Sequence, residues 1–136
     1  MQLTMSGDYA IRVIVDLAGQ PPGATVRLEE MRQRIGVPRA YLSKIVQALA
    51  RSGLIRTRRG SSGGVALLRA PEAITLRNVV EAVEGPIQLN RCLVQPGLCS
   101  RDSFCPVHPV WARIQRVLIR ELDSVSIRDM VKGAGC

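Results

Sequence analysis

The sequence predicts a mainly α protein with a small two-stranded wing: a winged helix-turn-helix followed by a long C-terminal dimerisation helix. Three observations carry that expectation. Two short helical patterns meet at Gly36-Val37-Pro38, a tight turn of the helix-turn-helix kind. Two strand patterns then flank the turn Arg59-Gly60-Ser61-Ser62-Gly63-Gly64. Finally, apolar residues recur at helical spacing between positions 107 and 122.

Each element has its own local cause. Tyr9, Ala10, Val13, Ile14, Leu17 and Ala18 make one apolar face of a helix over 6–18, and Gly19-Gln20-Pro21-Pro22-Gly23 ends it. A second helix spans 28–35, with Glu29 and Glu30 in the first turn, where the helix dipole favours acids. Pro38 suits the first position of a third helix, 38–52, which buries Leu42, Ile45, Val46 and Leu49 and stops at Gly53. Leu54-Ile55-Arg56-Thr57-Arg58 and Val65-Ala66-Leu67-Leu68 are the two strands of the wing. Thr75 caps a helix over 76–84 that ends at Gly85-Pro86. Five prolines and glycines, Pro86, Pro96, Gly97, Pro106 and Pro109, break residues 86–109 into a long loop, and long loops in compact proteins are usually functional. A helix over 107–123 follows, Ser126 caps a last short helix through Val131, and the tail to Cys136 is expected to fray, leaving an incidental thiol. Two parts result: 1–70, the winged DNA-binding domain, and 71–136, the loop and dimerisation helices.

Charge is distributed unevenly. The chain of 136 residues carries +8, and between Glu30 and Glu72 lie nine basic residues and no acid. The remainder of the chain is slightly acidic, so the whole positive excess sits on the helix-turn-helix and wing. That is the footprint of a module that binds a polyanion. Seventeen of the nineteen basic residues are Arg, the better partner for phosphate and guanine. Double-stranded DNA is the expected partner, contacted by Arg39, Tyr41, Ser43 and Lys44 on the third helix and by Arg58 and Arg59 in the wing. Only Tyr9, Tyr41, Phe104 and Trp111 are aromatic, too few for a base-stacking RNA module. No run approaches the roughly 18 apolar residues of a membrane span, and no secretory signal precedes the first helix, so a cytoplasmic protein without membrane contact is expected.

The loop holds Cys92, Cys99 and Cys105, separated by six and then five residues, with His108, the sole histidine, three positions on. Thiolates and a neutral imidazole suit zinc or an iron–sulfur cluster. Paired C-x-x-C knuckles, usual for structural zinc, are absent, and the wider spacing suits a larger group around which a loop can wrap. Zinc nevertheless stays as the alternative occupant, which would make the chain a winged-helix protein with a structural zinc site and no sensing role. A thiol enzyme built on Cys105 and His108 lacks an orienting third group, and the glycines at 60–64 match no nucleotide-binding motif. The chain is not expected to be an enzyme. The stripe Val107, Val110, Trp111, Ile114, Val117, Leu118 and Leu122 has little of its own chain to cover it and is read as a homodimer seam.

These pieces together resemble the iron–sulfur winged-helix repressor family that includes the IscR and NsrR regulators. The matching residues are Leu3-Thr4 and Asp8-Tyr9-Ala10, Ile35-Gly36-Val37 leading to Tyr41-Leu42, Leu54, Arg59-Gly60 and Gly63-Gly64, then Cys92, Cys99, Cys105, His108 and Trp111. The resemblance covers positions 1–132. It implies a homodimeric transcription regulator, a repressor, binding a pseudo-palindromic operator under control of a cluster that senses iron–sulfur status, nitric oxide or redox state, or iron. It further implies three cysteine ligands and one other, for which His108 and Asp8 compete. The six-residue gap between Cys92 and Cys99 departs from the commoner five, leaving two-iron and four-iron clusters both open.

Overall fold

The computed structural model describes residues 3–133; the thiol expectation at Cys136 lies outside the described residues. Six helices and a two-stranded sheet follow one another as α1 (Met5–Ala18), α2 (Leu28–Ile35), α3 (Arg39–Arg51), β1 (Ile55–Arg58), β2 (Gly64–Leu67), α4 (Leu76–Glu84), α5 (His108–Ser124) and α6 (Ile127–Lys132). Short 3-10 turns at Pro71–Ala73 and Arg91–Leu93 punctuate the connections.

Helix α1 is the axle of the core. Ala10, Val13 and Ile14 are fully buried, and α2, α3, α4 and α6 all pack against it. Its N-terminus is capped by the Thr4 hydroxyl, which accepts from the Gly7 N–H at 3.4 Å. Helix α2 ends at Gly36 in the left-handed conformation, φ 66°, which a side chain would strain. Pro38 stands one position ahead of α3 rather than inside it, and its carbonyl accepts from the Leu42 N–H at 2.9 Å. The expected apolar face of α3, Leu42, Ile45, Val46 and Leu49, is buried.

The wing pairs antiparallel in the register Ile55 with Leu67, Arg56 with Ala66, Thr57 with Val65 and Arg58 with Gly64. A third segment joins it that sequence patterning missed. Val26, just ahead of α2, bridges to Val65 through two N–H···O bonds of 2.8 Å each. This crossing explains Gly64, where a Cβ would lie 2.2 Å from the Val26 carbonyl oxygen.

Helix α4 begins with a capping box in which the Thr75 hydroxyl and the Asn78 side chain each accept a backbone N–H. Ser126 and Asp129 repeat that device at α6. The two caps lie side by side, since Thr75 and Ser126 bridge and the Ile127 N–H donates to the Ile74 carbonyl at 2.9 Å. Ile74, Val79 and Ile127 are fully buried in the same core as α1. Helix α5 differs from the others: none of its residues is buried among the described residues.

Candidate functional site

Two sites can be built on this frame: a basic face on α3 and the wing, and a thiol-lined loop between α4 and α5. At the face, burial of Leu42, Ile45, Val46 and Leu49 turns Arg39, Tyr41, Ser43 and Lys44 outward, all exposed. In β1 only Ile55 is buried, leaving Arg56 and Arg58 exposed with Arg59 at the turn. The Arg27 guanidinium donates to the Ser61 carbonyl and so ties the turn of the wing to the start of α2.

The fold sorts the nine basic residues into two groups. Arg32 and Arg39 both pair with Glu29, at 2.5 and 3.3 Å, and Arg34 pairs with Asp16 at 2.9 Å. Hydrogen bonding from Arg32 above all, joined by Arg39, holds the Glu29 carboxyl down at about 2. Arg69 donates to the Ala73 carbonyl at 2.7 Å. Among the described residues, Lys44, Arg51, Arg56, Arg58 and Arg59 have no carboxylate partner within 4.0 Å. Within positions 31–71, five of the six cations without a carboxylate partner therefore lie on α3 and the wing, the two elements that a winged helix-turn-helix presents to DNA, and the sixth, Arg69, follows β2. Arg39, paired yet 81% exposed, stays accessible to a phosphate that competes with Glu29.

Tyr41 also packs within the fold. Its ring stands edge-on to Tyr9, centroids 5.6 Å apart and planes 71° apart, which docks the first turn of α3 on α1.

In the loop, Cys92, Cys99, Cys105 and His108 all line one cavity of about 440 Å³, together with Asp102 and Trp111. A neighbouring cavity of about 630 Å³ is lined by Cys92, Cys99, Asp102 and His108. Both far exceed the roughly 30 Å³ share of a single water, so a polyatomic group fits as readily as one ion. The loop is folded by its own backbone: the Cys105 N–H donates to Arg101 at 2.8 Å and the Asp102 N–H to Cys99 at 3.2 Å. His108 opens α5, ahead of Pro109, and its N–H donates to the Cys105 carbonyl at 3.3 Å.

Asp102 is the residue that sequence reading missed. It is the sole acid between Glu84 and Glu121, and that isolation in a cysteine-bearing loop was the available signal. The structure brings Cys92, Asp102 and His108 together, with donor atoms all within 4.8 Å of one another. His108 Nδ1 and Asp102 Oδ1 are 3.8 Å apart, too far for a hydrogen bond, and both are buried without a partner among the described residues. Buried polar atoms left unpaired are costly unless something satisfies them, and soft and borderline donors around a cavity fit a metal or metal cluster. Burial pushes the Cys92 thiol up, helped by the Asp102 carboxylate and by Cys99. Asp8 stands apart: it pairs with Arg12 at 2.8 Å on α1 and lines neither cavity.

The apolar stripe read from the sequence as a dimer seam divides in the structure. Val107, Val110, Trp111, Ile114 and Val117 are between 37 and 48% exposed, an apolar strip open along α5. Leu118 and Leu122 are half-buried and line a groove with Ile11, Leu76 and Val80. No helix among the described residues is long and apolar enough to cross a membrane.

Comparison with known proteins follows the same lines. A family model described as Rrf2, iron-dependent transcriptional regulator, matches residues 3–133. The chain is 30% identical over 132 residues to the HTH-type transcriptional regulator IscR of Xenorhabdus nematophila, covering 97% of this chain and 80% of that one. Among solved structures it resembles CymR, the global cysteine regulator of B. subtilis, with a TM-score of 0.78 and 25% identity over 98% of each chain. It also resembles T. potens IscR, with a TM-score of 0.75 and 26% identity, covering 98% of this chain and 88% of that one. With a winged helix-turn-helix that carries five unpaired cations on α3 and the wing, and a family match over nearly its whole length, the chain belongs to the Rrf2 family of transcriptional regulators.

Proposed function

We propose that the protein is a cytoplasmic, homodimeric regulator, a repressor, whose binding to a pseudo-palindromic operator is controlled by an iron–sulfur cluster in the 86–109 loop. Residues 1–70 form the reading head, and 71–136 carry the cluster loop and the dimer helix. The observation that carries this reading is the single cavity lined by Cys92, Cys99, Cys105 and His108. CymR shares the fold and is by its title a cysteine regulator, so the fold alone does not choose the signal.

Cys92, Cys99 and Cys105 would hold the cluster, with His108 the favoured fourth ligand because it lines the same cavity. Asp8, which lines neither cavity, competes for that position only through a partner subunit. When bound, the cluster supplies a redox-active, nitric oxide-reactive centre that holds the loop in one arrangement. The chain itself connects that loop to both functional surfaces. At one end the loop follows Glu84, whose carboxylate accepts from the Thr4 and Gly7 N–H groups at the start of α1. At the other it runs into α5 and the exposed apolar strip. A change in the loop thus bears on the reading head and on the seam, and tenfold control of operator affinity needs about 1.4 kcal/mol of coupling.

Anaerobic purification followed by absorption spectroscopy and iron and sulfide analysis tests the cofactor, and operator titration of loaded and cluster-free protein tests the switch. A brown protein with comparable iron and sulfide, and at least tenfold different affinities in the two forms, is expected. Equal affinities would remove the cluster as the switch.

A further inference from the structure

The donor set that the loop assembles is not the three-cysteine set. Cys92 meets an oxygen and a nitrogen donor, Asp102 and His108, within 4.8 Å, whereas Cys99 and Cys105 line the cavity outside that group. One Asp102 oxygen is already fixed, since Oδ2 accepts from the Gly97 N–H at 3.0 Å, and this leaves Oδ1 as the unpaired atom opposite His108 Nδ1. The two atoms stand 3.8 Å apart. Two donors each about 2 Å from a tetrahedral ion lie roughly 3.3 Å from each other, so an ion between them requires only a few tenths of an ångström of closure. A thiolate and a carboxylate together also neutralise a dication, with the imidazole binding as a neutral donor.

We propose that Cys92, Asp102 and His108 form a mononuclear site for one borderline divalent cation, of the zinc or ferrous class, which is taken up when the loop carries no cluster. The proposal rests on reading the loop as a metal centre and gives that centre a second occupant. Because Cys92 and His108 belong to both ligand sets, the ion and the cluster exclude each other. The ion has one protein thiolate, and Cys92, Asp102 and His108 line the same cavity as Gln95, Pro96 and Ser100. Cys99 and Cys105 stay free thiols in this state.

The test uses the full chain, freed of cluster and kept reduced and anaerobic, titrated with Co²⁺ alone and then competed with Zn²⁺. One Co²⁺ per chain is expected, with a sulfur-to-cobalt charge-transfer band of one thiolate's intensity. Cys92→Ser, Asp102→Asn and His108→Gln should each weaken Co²⁺ binding at least about tenfold, the lower end of what losing even a hydrogen-bond partner of a ligand costs. Cys99→Ser and Cys105→Ser should leave it nearly unchanged. A band of three-thiolate intensity, or loss of binding in Cys99→Ser and Cys105→Ser, would overturn the proposal in favour of an ion held by all three cysteines. Unchanged affinity in Asp102→Asn, or no Co²⁺ uptake by the wild-type chain, would overturn it as well. The wild-type band intensity decides the matter without any variant that must fold. Protein that purifies with a cluster yet takes no Co²⁺ once cluster-free would keep the cluster reading and remove this one.

Discussion

The Glu84 carboxylate accepts a hydrogen bond from the Gly7 N–H at 3.1 Å, joining the last residue of α4 to the first turn of α1 across 77 positions of sequence. The same oxygen accepts from the Thr4 N–H at 3.2 Å. A negative group at a helix N-terminus satisfies donors that the helix cannot, and Glu84 is also the last residue before the loop that carries the cysteines.

Glu84→Ala is therefore expected to cost about 1 kcal/mol in unfolding free energy by removing that cap. It should also narrow the difference in operator affinity between cluster-loaded and cluster-free protein. Denaturant melts and operator titrations of the same variant separate the two effects. A full affinity difference in Glu84→Ala would mean that the loop does not act through α1.

On the DNA face, Arg59→Ala is expected to weaken operator binding by about 1–3 kcal/mol, as for a base-edge or groove contact. Lys44→Ala should reduce the salt dependence of binding by about one unit of slope, as for a phosphate contact. Binding isotherms at several salt concentrations check both. Unchanged affinity in both variants would displace α3 and the wing from the interface.

Gly64 lies under the Val26 carbonyl with φ 149°, and an added Cβ would approach that oxygen to 2.2 Å. Gly64→Ala should break the Val26–Val65 bridge and destabilise the protein by about 1–3 kcal/mol, the scale of local backbone strain. Amide exchange at Val26 and Val65, protected in the parent and fast in the variant, is the measurement. Retained protection would contradict the steric account.

The apolar strip on α5 makes a separate forecast. Ile114 and Val117 are 42 and 48% exposed, so Asp at both positions leaves the monomer core intact while placing two charges in the proposed seam. Sedimentation velocity should find monomers with an unchanged helical spectrum. An intact dimer would move the seam elsewhere.

Glu29 provides one pH dependence. Its folded carboxyl lies at about 2 rather than 4.5, chiefly through hydrogen bonding from Arg32. A depressed carboxyl stabilises the fold above its ordinary value, and that contribution fades as pH falls from 4.5 towards 2. The Glu29 carboxyl carbon shift should titrate near 2 in the parent and move up in Arg32→Gln. A parent midpoint at the ordinary value would show that the ion pair does not persist in solution.

The order of elements, the turn between α2 and α3, the caps Thr75 and Ser126 and the confinement of the net positive excess to positions 31–71 were all legible in the sequence. Each depends on residues within a few positions of one another, through side-chain period, turn chemistry and capping. The clustering of Cys92, Cys99, Cys105 and His108 was legible for the same reason, because a loop of that length keeps its own residues close. Only the tertiary structure decided which cations stay unpaired, since Arg34 meets Asp16 and Arg39 meets Glu29 through the packing of different helices. It likewise placed Val26 on the wing, Ile127 in the core and a free Asp102 oxygen opposite His108. Those contacts come from how elements pack and how an irregular loop closes, and neither packing partner nor loop closure leaves a period in the chain.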